Sequence, residues 1–138
     1  MGIDMMQTLS VSTIRTELFQ KNQVQLDLLR ADLLHPQISG NKWYKLKYNL
    51  AKLRQENKQG ILSFGGAYSN HLHALAYAGH LGGFKTCGIV RGEKVINPTL
   101  QDCAAWGMDL HFISRSEYRK KEDPDFLQKI GLNFPGYS

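Results

Sequence analysis

The sequence predicts an α/β fold, an open parallel sheet with helices packed on both faces in three layers. Short apolar runs at 60–64, 86–90 and 108–113 are typical of strands buried in such a sheet. The segments between them carry apolar residues at helical spacing, and Gly or Pro residues mark their ends. Strands and helices therefore alternate along the chain, as expected for parallel strands joined by right-handed helical crossovers.

The first strand is predicted near residues 24–34, where Val24, Leu26 and Leu28 alternate with polar residues. Pro36 ends this strand, because proline restricts the backbone of the residue before it. Ser39-Gly40-Asn41 then forms a turn. A helix near 42–56 follows, and its apolar stripe consists of Trp43, Leu46, Leu50 and Leu53.

Three further helices complete the alternation, and turn or capping residues start and end them. They are predicted over 70–81 with Gly82-Gly83 as the end, from Asn97-Pro98 to about Trp106, and from Asp123-Pro124 to near Gly131.

Composition narrows the class of protein. The 138 residues suffice for one domain with a core. The net charge of +5 comes from basic residues scattered among acids, so no nucleic-acid surface is expected. No apolar run approaches the roughly 20 residues of a membrane span, and no signal-peptide pattern opens the sequence. We therefore expect no membrane partner and a cytoplasmic location. Cys87 and Cys103 stand among apolar residues, which predicts buried thiols rather than metal ligands.

The turn Ser39-Gly40-Asn41 places Lys42 at the start of a predicted helix. A helix N-terminus disfavours a cation, and a lysine whose pKa is lowered there becomes a usable nucleophile. Lys45 lies on the same helical face and could lower the pKa of Lys42 or pair with a phosphate. The alternative is a surface helix with solvated lysines, and the spacing alone favours that alternative.

A second turn, Gly65 to Asn70, precedes another predicted helix. Its glycines allow close backbone approach, and the free N–H groups of the helix start form a natural site for a carboxylate or phosphate. An ordinary capped helix fits the pattern equally well. His71 and His73 are two residues apart and do not share a helical face, so no metal site is predicted.

In combination, the stretches His35-Pro36-Gln37-Ile38-Ser39-Gly40-Asn41-Lys42 and Phe64-Gly65-Gly66-Ala67-Tyr68-Ser69-Asn70-His71 resemble the 1-aminocyclopropane-1-carboxylate deaminase/D-cysteine desulfhydrase family. The resemblance extends from about residue 24 onward. It implies the tryptophan-synthase-β-like fold and a pyridoxal 5′-phosphate (PLP) cofactor, which would supply the electron sink.

The resemblance also implies roles for individual residues. Lys42 matches the lysine that holds PLP covalently and moves a substrate proton, and Ser69 matches a catalytic serine near the substrate. Asn70 matches the cofactor-binding asparagine, with Asn41 and Lys45 near the cofactor phosphate. The expected substrate-binding residues are Ala67, Tyr68, Ser69, Asn70 and His71.

Members of this family are considerably longer than 138 residues, and the second half of their chain carries the glycine-rich loop that cradles the phosphate. Residues 1–40 are therefore expected to belong to a larger domain. Residues 41–138 are expected to form the small α/β domain, with the chain ending where the larger domain would resume. Without the rest of the larger domain, apolar surface that it would cover stays exposed. Such a surface predicts a homodimer or higher homo-oligomer.

The expected function is that of a lyase or deaminase acting on a small amino acid, incomplete in these 138 residues. D-cysteine and 1-aminocyclopropane-1-carboxylate are both candidate substrates, and Ser69-Asn70-His71 favours the desulfhydrase branch. The alternative is a non-catalytic, truncated remnant that folds or binds a partner without turnover.

Overall fold

A computed structural model describes residues 10–30, 33 and 42–138. In chain order its elements are β1 Val11–Ile14, α1 Glu17–Lys21, β2 Leu26–Leu29, α2 Lys42–Gln55, β3 Gly60–Gly66, α3 Asn70–Gly82, β4 Lys85–Arg91, α4 Pro98–Ala105, β5 Met108–Ile113, α5 Arg115–Tyr118 and α6 Pro124–Asn133.

The predicted parallel sheet is confirmed. Its strands lie in the order β3-β4-β5, and both pairings are parallel. Ser63 pairs with Gly88, which in turn pairs with Leu110. The helices predicted to begin at 42, 70, 98 and 124 are also present, within one to two residues of their expected ends.

Helices cover both faces of this sheet. On one face, α2, α3 and α4 share a buried cluster with the strands; its members include Leu46, Leu53, Ile61, Leu72, Leu75, Val90, Leu100 and Met108. On the other face, Phe64 meets the ring of Tyr118 at the end of α5, and His111 meets Phe134 just after α6. The three layers predicted from the sequence are therefore present.

The strand predicted within residues 24–34 is present but shorter, over Leu26–Leu29. It forms β2 and pairs antiparallel with β1 in a separate two-stranded sheet, rather than with the parallel strands. Every residue of β2 is exposed, and Val11, Leu26 and Leu29 each expose between 45% and 59% of their surface. Val24, Leu26 and Leu28 alternate with polar residues, but alternation does not identify the partner of a strand, and register is weakly specified where neither face is buried.

The last residues of the chain pair with the free edge of β3. Ser138 donates its N–H to Gly60 O and accepts from Leu62 N–H, at 2.9 and 3.0 Å. The sequence around Pro135 and Gly136 gave no strand signal, because both residue types are depleted in strands.

Gly79 is required by the contact between α3 and β4. A Cβ at this position would lie 2.5 Å from Thr86 Cγ2 and 2.9 Å from the backbone oxygen of Phe84. We expect Gly79→Ala to lower the free energy of unfolding by about 1–3 kcal/mol, because the backbone cannot move aside without disturbing the core. Gly131 in α6 is the matched control, since nothing lies within 4 Å of its added Cβ. Gly131→Ala should raise stability by up to about 1 kcal/mol. Urea unfolding distinguishes the two, and equal effects would contradict this packing.

Within the described part of the chain, no helix is both long enough and apolar enough to cross a membrane.

Candidate functional site

Helices α2 and α3 both begin at the carboxyl edge of the parallel sheet. Only residues 56–59 separate α2 from β3, so the helix must run antiparallel to the strand that it packs on. Asn49 of α2 and Ser63 of β3 line the same cavity. Seven helical residues back from Asn49 is about 10 Å, and three strand residues on from Ser63 is also about 10 Å. Helix α2 therefore begins toward the same edge of the sheet as the Gly66 end of β3.

The turn from Gly66 to Ser69, called here the 66–69 turn, connects β3 to α3. Ser69 N–H donates to Gly66 O at 3.1 Å, which closes a β-turn. Ser69 Oγ then accepts from Leu72 N–H at 3.2 Å and caps α3. This use of the oxygen leaves the hydroxyl proton of Ser69 available to another acceptor.

Two backbone N–H groups of this turn are candidate donors to a ligand. In the described part of the chain, the N–H groups of Tyr68 and Asn70 have no hydrogen-bond acceptor. Both residues are exposed. A helix N-terminus carries partial positive charge, so these donors suit a carboxylate or phosphate.

Gly65 allows the turn to fold back onto the strand. A Cβ here would lie 2.6 Å from Ser69 Oγ and 2.7 Å from the side chain of Leu72. A larger residue would therefore push the cap of α3 away from the sheet.

Asn97 ties the 66–69 turn to α4. Its Oδ1 accepts from Leu100 N–H at 2.9 Å, which confirms the predicted helix cap. Its Nδ2 also donates to Ala67 O at 2.9 Å. The sequence did not predict this second bond, because it joins residues 30 positions apart.

Two histidine contacts were likewise not predicted. His71 Nε2 lies 2.8 Å from Ser63 Oγ beside a cavity of about 180 Å³. His73 Nε2 lies 2.9 Å from the carboxylate of Asp102, which the fold brings over from α4. Among the described residues, no group of three or more His, Cys, Asp or Glu side chains could hold a metal ion.

The site residues predicted from the sequence fall into two groups. Ala67, Tyr68, Ser69, Asn70 and His71 are adjacent in the 66–69 turn and the first turn of α3. Lys42 opens α2, but its side chain and that of Lys45 lie outside what the structure describes, as does the whole of Asn41. The roles of these residues stay predictions.

Both cysteines are buried, as the sequence predicted. Burial raises the pKa of Cys87 to about 12, with Asp109 adding to the effect. Burial also raises the pKa of Cys103 to about 11, helped by Asp102. Both thiols are therefore protonated at neutral pH and are poor nucleophiles.

Comparison with known proteins gives three relatives in sequence, whereas no protein-family model matches the chain. The chain is 32% identical over 107 residues to a putative 1-aminocyclopropane-1-carboxylate deaminase of Thermotoga maritima, covering 77% of this chain and 34% of that protein. It is 30% identical over 115 residues to a putative mitochondrial D-cysteine desulfhydrase 2 of Oryza sativa subsp. japonica, covering 83% and 22%. It is 29% identical over 104 residues to a mitochondrial bifunctional D-cysteine desulfhydrase/1-aminocyclopropane-1-carboxylate deaminase of Arabidopsis thaliana, covering 70% and 26%.

A solved structure has the same fold. The crystal structure of a hydrogen sulfide-producing enzyme from Fusobacterium nucleatum matches 99% of this chain and 43% of its own, with a TM-score of 0.65 and 15% identity. The chain thus spans about a third or less of the relatives that it matches in sequence.

Proposed function

We propose that this chain, which is related in sequence to the N-terminal part of the 1-aminocyclopropane-1-carboxylate deaminase/D-cysteine desulfhydrase family, forms one part of a PLP-dependent lyase or deaminase acting on a small amino acid. The observation that carries the proposal is the 66–69 turn, where the N–H groups of Tyr68 and Asn70 have no acceptor among the described residues and α2 begins toward the same edge of the sheet. The three relatives carry deaminase or desulfhydrase names, which supports the same reaction class.

The described residues fit a substrate carboxylate and a flat cofactor at this edge. Among the described residues, a Cβ at Gly66 would meet only Arg91 Nη2, at 3.9 Å. In this proposal Lys42 holds the cofactor and moves a proton, and the exposed amide of Asn70 contacts the cofactor ring. Asn41 and Lys45 lie near its phosphate. Bound PLP would supply the electron sink for the reaction.

The 66–69 turn binds and orients the substrate in this proposal. The N–H groups of Tyr68 and Asn70 donate to the substrate carboxylate, and His71 also contacts the substrate. Ser69 Oγ continues to accept from Leu72 N–H, and the hydroxyl proton of Ser69 assists cleavage of the substrate bond. The favoured substrate is D-cysteine, with 1-aminocyclopropane-1-carboxylate as the second candidate.

We also propose an assembly, a domain organisation and a location for the whole protein. A homodimer or higher homo-oligomer is supported by the exposed apolar side chains of β1 and β2, since large apolar patches promote association. The residues 1–40 are proposed to belong to a larger domain. A cytoplasmic location is proposed from the sequence pattern alone.

The test is turnover by the protein as its gene encodes it, purified and supplied with PLP. D-cysteine should give pyruvate, sulfide and ammonia, and 1-aminocyclopropane-1-carboxylate should give 2-oxobutyrate and ammonia. We expect keto-acid release from D-cysteine to be the faster, and the protein without added PLP is the control. No keto acid from either compound would favour a non-catalytic remnant.

A further inference from the structure

Asn97 is a buried polar residue, 6% exposed, whose side chain makes two hydrogen bonds to different elements. One is the cap of α4, from Leu100 N–H, and the other reaches Ala67 O in the 66–69 turn. A cap needs only the oxygen of an asparagine side chain. The side-chain nitrogen of Asn97 therefore serves the second hydrogen bond, to Ala67 O.

Ala67 O belongs to the central peptide of the 66–69 turn. In a β-turn this peptide has two orientations, roughly 180° apart, which distinguish types I and II. Type II requires a positive φ at the third residue, and Tyr68 is not among the described non-glycine residues with a positive φ. The bond from Asn97 holds the carbonyl in the orientation that Tyr68 tolerates.

Fixing the carbonyl also fixes the neighbouring donor. A trans peptide is planar, and its C=O and N–H point in opposite directions. With Ala67 O held against Asn97, the Tyr68 N–H points away from Asn97. Within the described residues this N–H has no acceptor. A flipped peptide would present the carbonyl oxygen there instead, and a carbonyl oxygen repels a carboxylate.

We propose that Asn97 is a positioning residue for substrate binding, because it keeps the Tyr68 N–H directed toward the substrate carboxylate. This inference rests on the proposed function. It adds a residue that touches neither substrate nor cofactor and that acts through the peptide of Ala67 and Tyr68.

The test compares Asn97→Ser with Asn97→Ala in the protein as its gene encodes it. Serine keeps an oxygen that caps α4 but is too short to reach Ala67 O, whereas alanine loses both bonds. The probe is D-alanine, which has the α-carboxylate but no leaving group. Binding is followed by NMR at the backbone amides of Tyr68 and Asn70.

We expect both variants to bind D-alanine at least tenfold more weakly than the parent. The temperature of thermal unfolding should fall clearly for Asn97→Ala only. The Tyr68 amide signal should also move or broaden in both variants without ligand, as the peptide begins to flip. Wild-type affinity and an unchanged Tyr68 signal in Asn97→Ser would overturn the role of Asn97. Failure of the proposed function would show differently, as a parent protein that releases no keto acid.

Discussion

Replacing Lys42 by alanine should abolish covalent attachment of PLP and lower turnover by roughly 10²–10⁴-fold, the usual contribution of a positioned proton-transfer group. The reason is its place in the fold. Lys42 opens α2 at the sheet edge where the 66–69 turn also lies, and the partial positive charge of a helix N-terminus disfavours a cation, which would suit a lysine that holds the cofactor. Steady-state release of pyruvate from D-cysteine measures the loss.

Lys47→Ala is the matched control for this experiment. Lys47 is a lysine of the same helix whose side chain is exposed, and it has no role in the proposed site. Its replacement should leave turnover unchanged. Turnover that persists in Lys42→Ala, or that falls equally in both variants, would rule out the assignment.

Truncating Leu72 should cause the largest loss of stability. Its side chain is fully buried between α3 and the sheet, within 2.7 Å of the Cβ that Gly65 lacks and 3.4 Å of the Cβ that Gly88 lacks. We expect Leu72→Ala to lower the free energy of unfolding by about 2–5 kcal/mol, because it leaves a cavity that the surrounding backbone cannot fill. Small domains have about 5–15 kcal/mol in total, so the variant should be partly unfolded at modest urea concentrations.

Leu132→Ala serves as the control for that substitution. The substitution Leu132→Ala removes the same atoms from a side chain that is 77% exposed. Its effect on the free energy of unfolding should therefore stay within about 0.5 kcal/mol. Comparable losses at both positions would mean that the core does not lie between α3 and the sheet as described.

Most of the elements that could be predicted have one or two buried faces. The runs that became β3, β4 and β5 are apolar because the sheet is covered on both sides, and Leu46 and Leu53 recur at helical spacing because α2 packs on it. By contrast, β1 and α1 have largely exposed side chains and gave no periodic signal. The capping of α5 by Ser114 involves only four helical residues, too few to show a period.

The site could be predicted only where its residues are close in sequence. The glycines, Ser69 and Asn70 occur within one turn, so their pattern predicted a helix start with open donors. Asn97 carried a signal for its cap, since Pro98 follows it, but nothing local indicated Ala67 as its second partner. The contact between Ser63 and His71 also depends on how α3 lies across β3, which is decided by packing rather than by local sequence.

The most direct test of the account is to find which lysine carries the cofactor. The protein as its gene encodes it is mixed with PLP, reduced with borohydride and digested, and the modified peptide is identified by mass spectrometry. We expect one modified lysine per chain, at Lys42. Modification mainly at Lys45, Lys47 or Lys52 would contradict it.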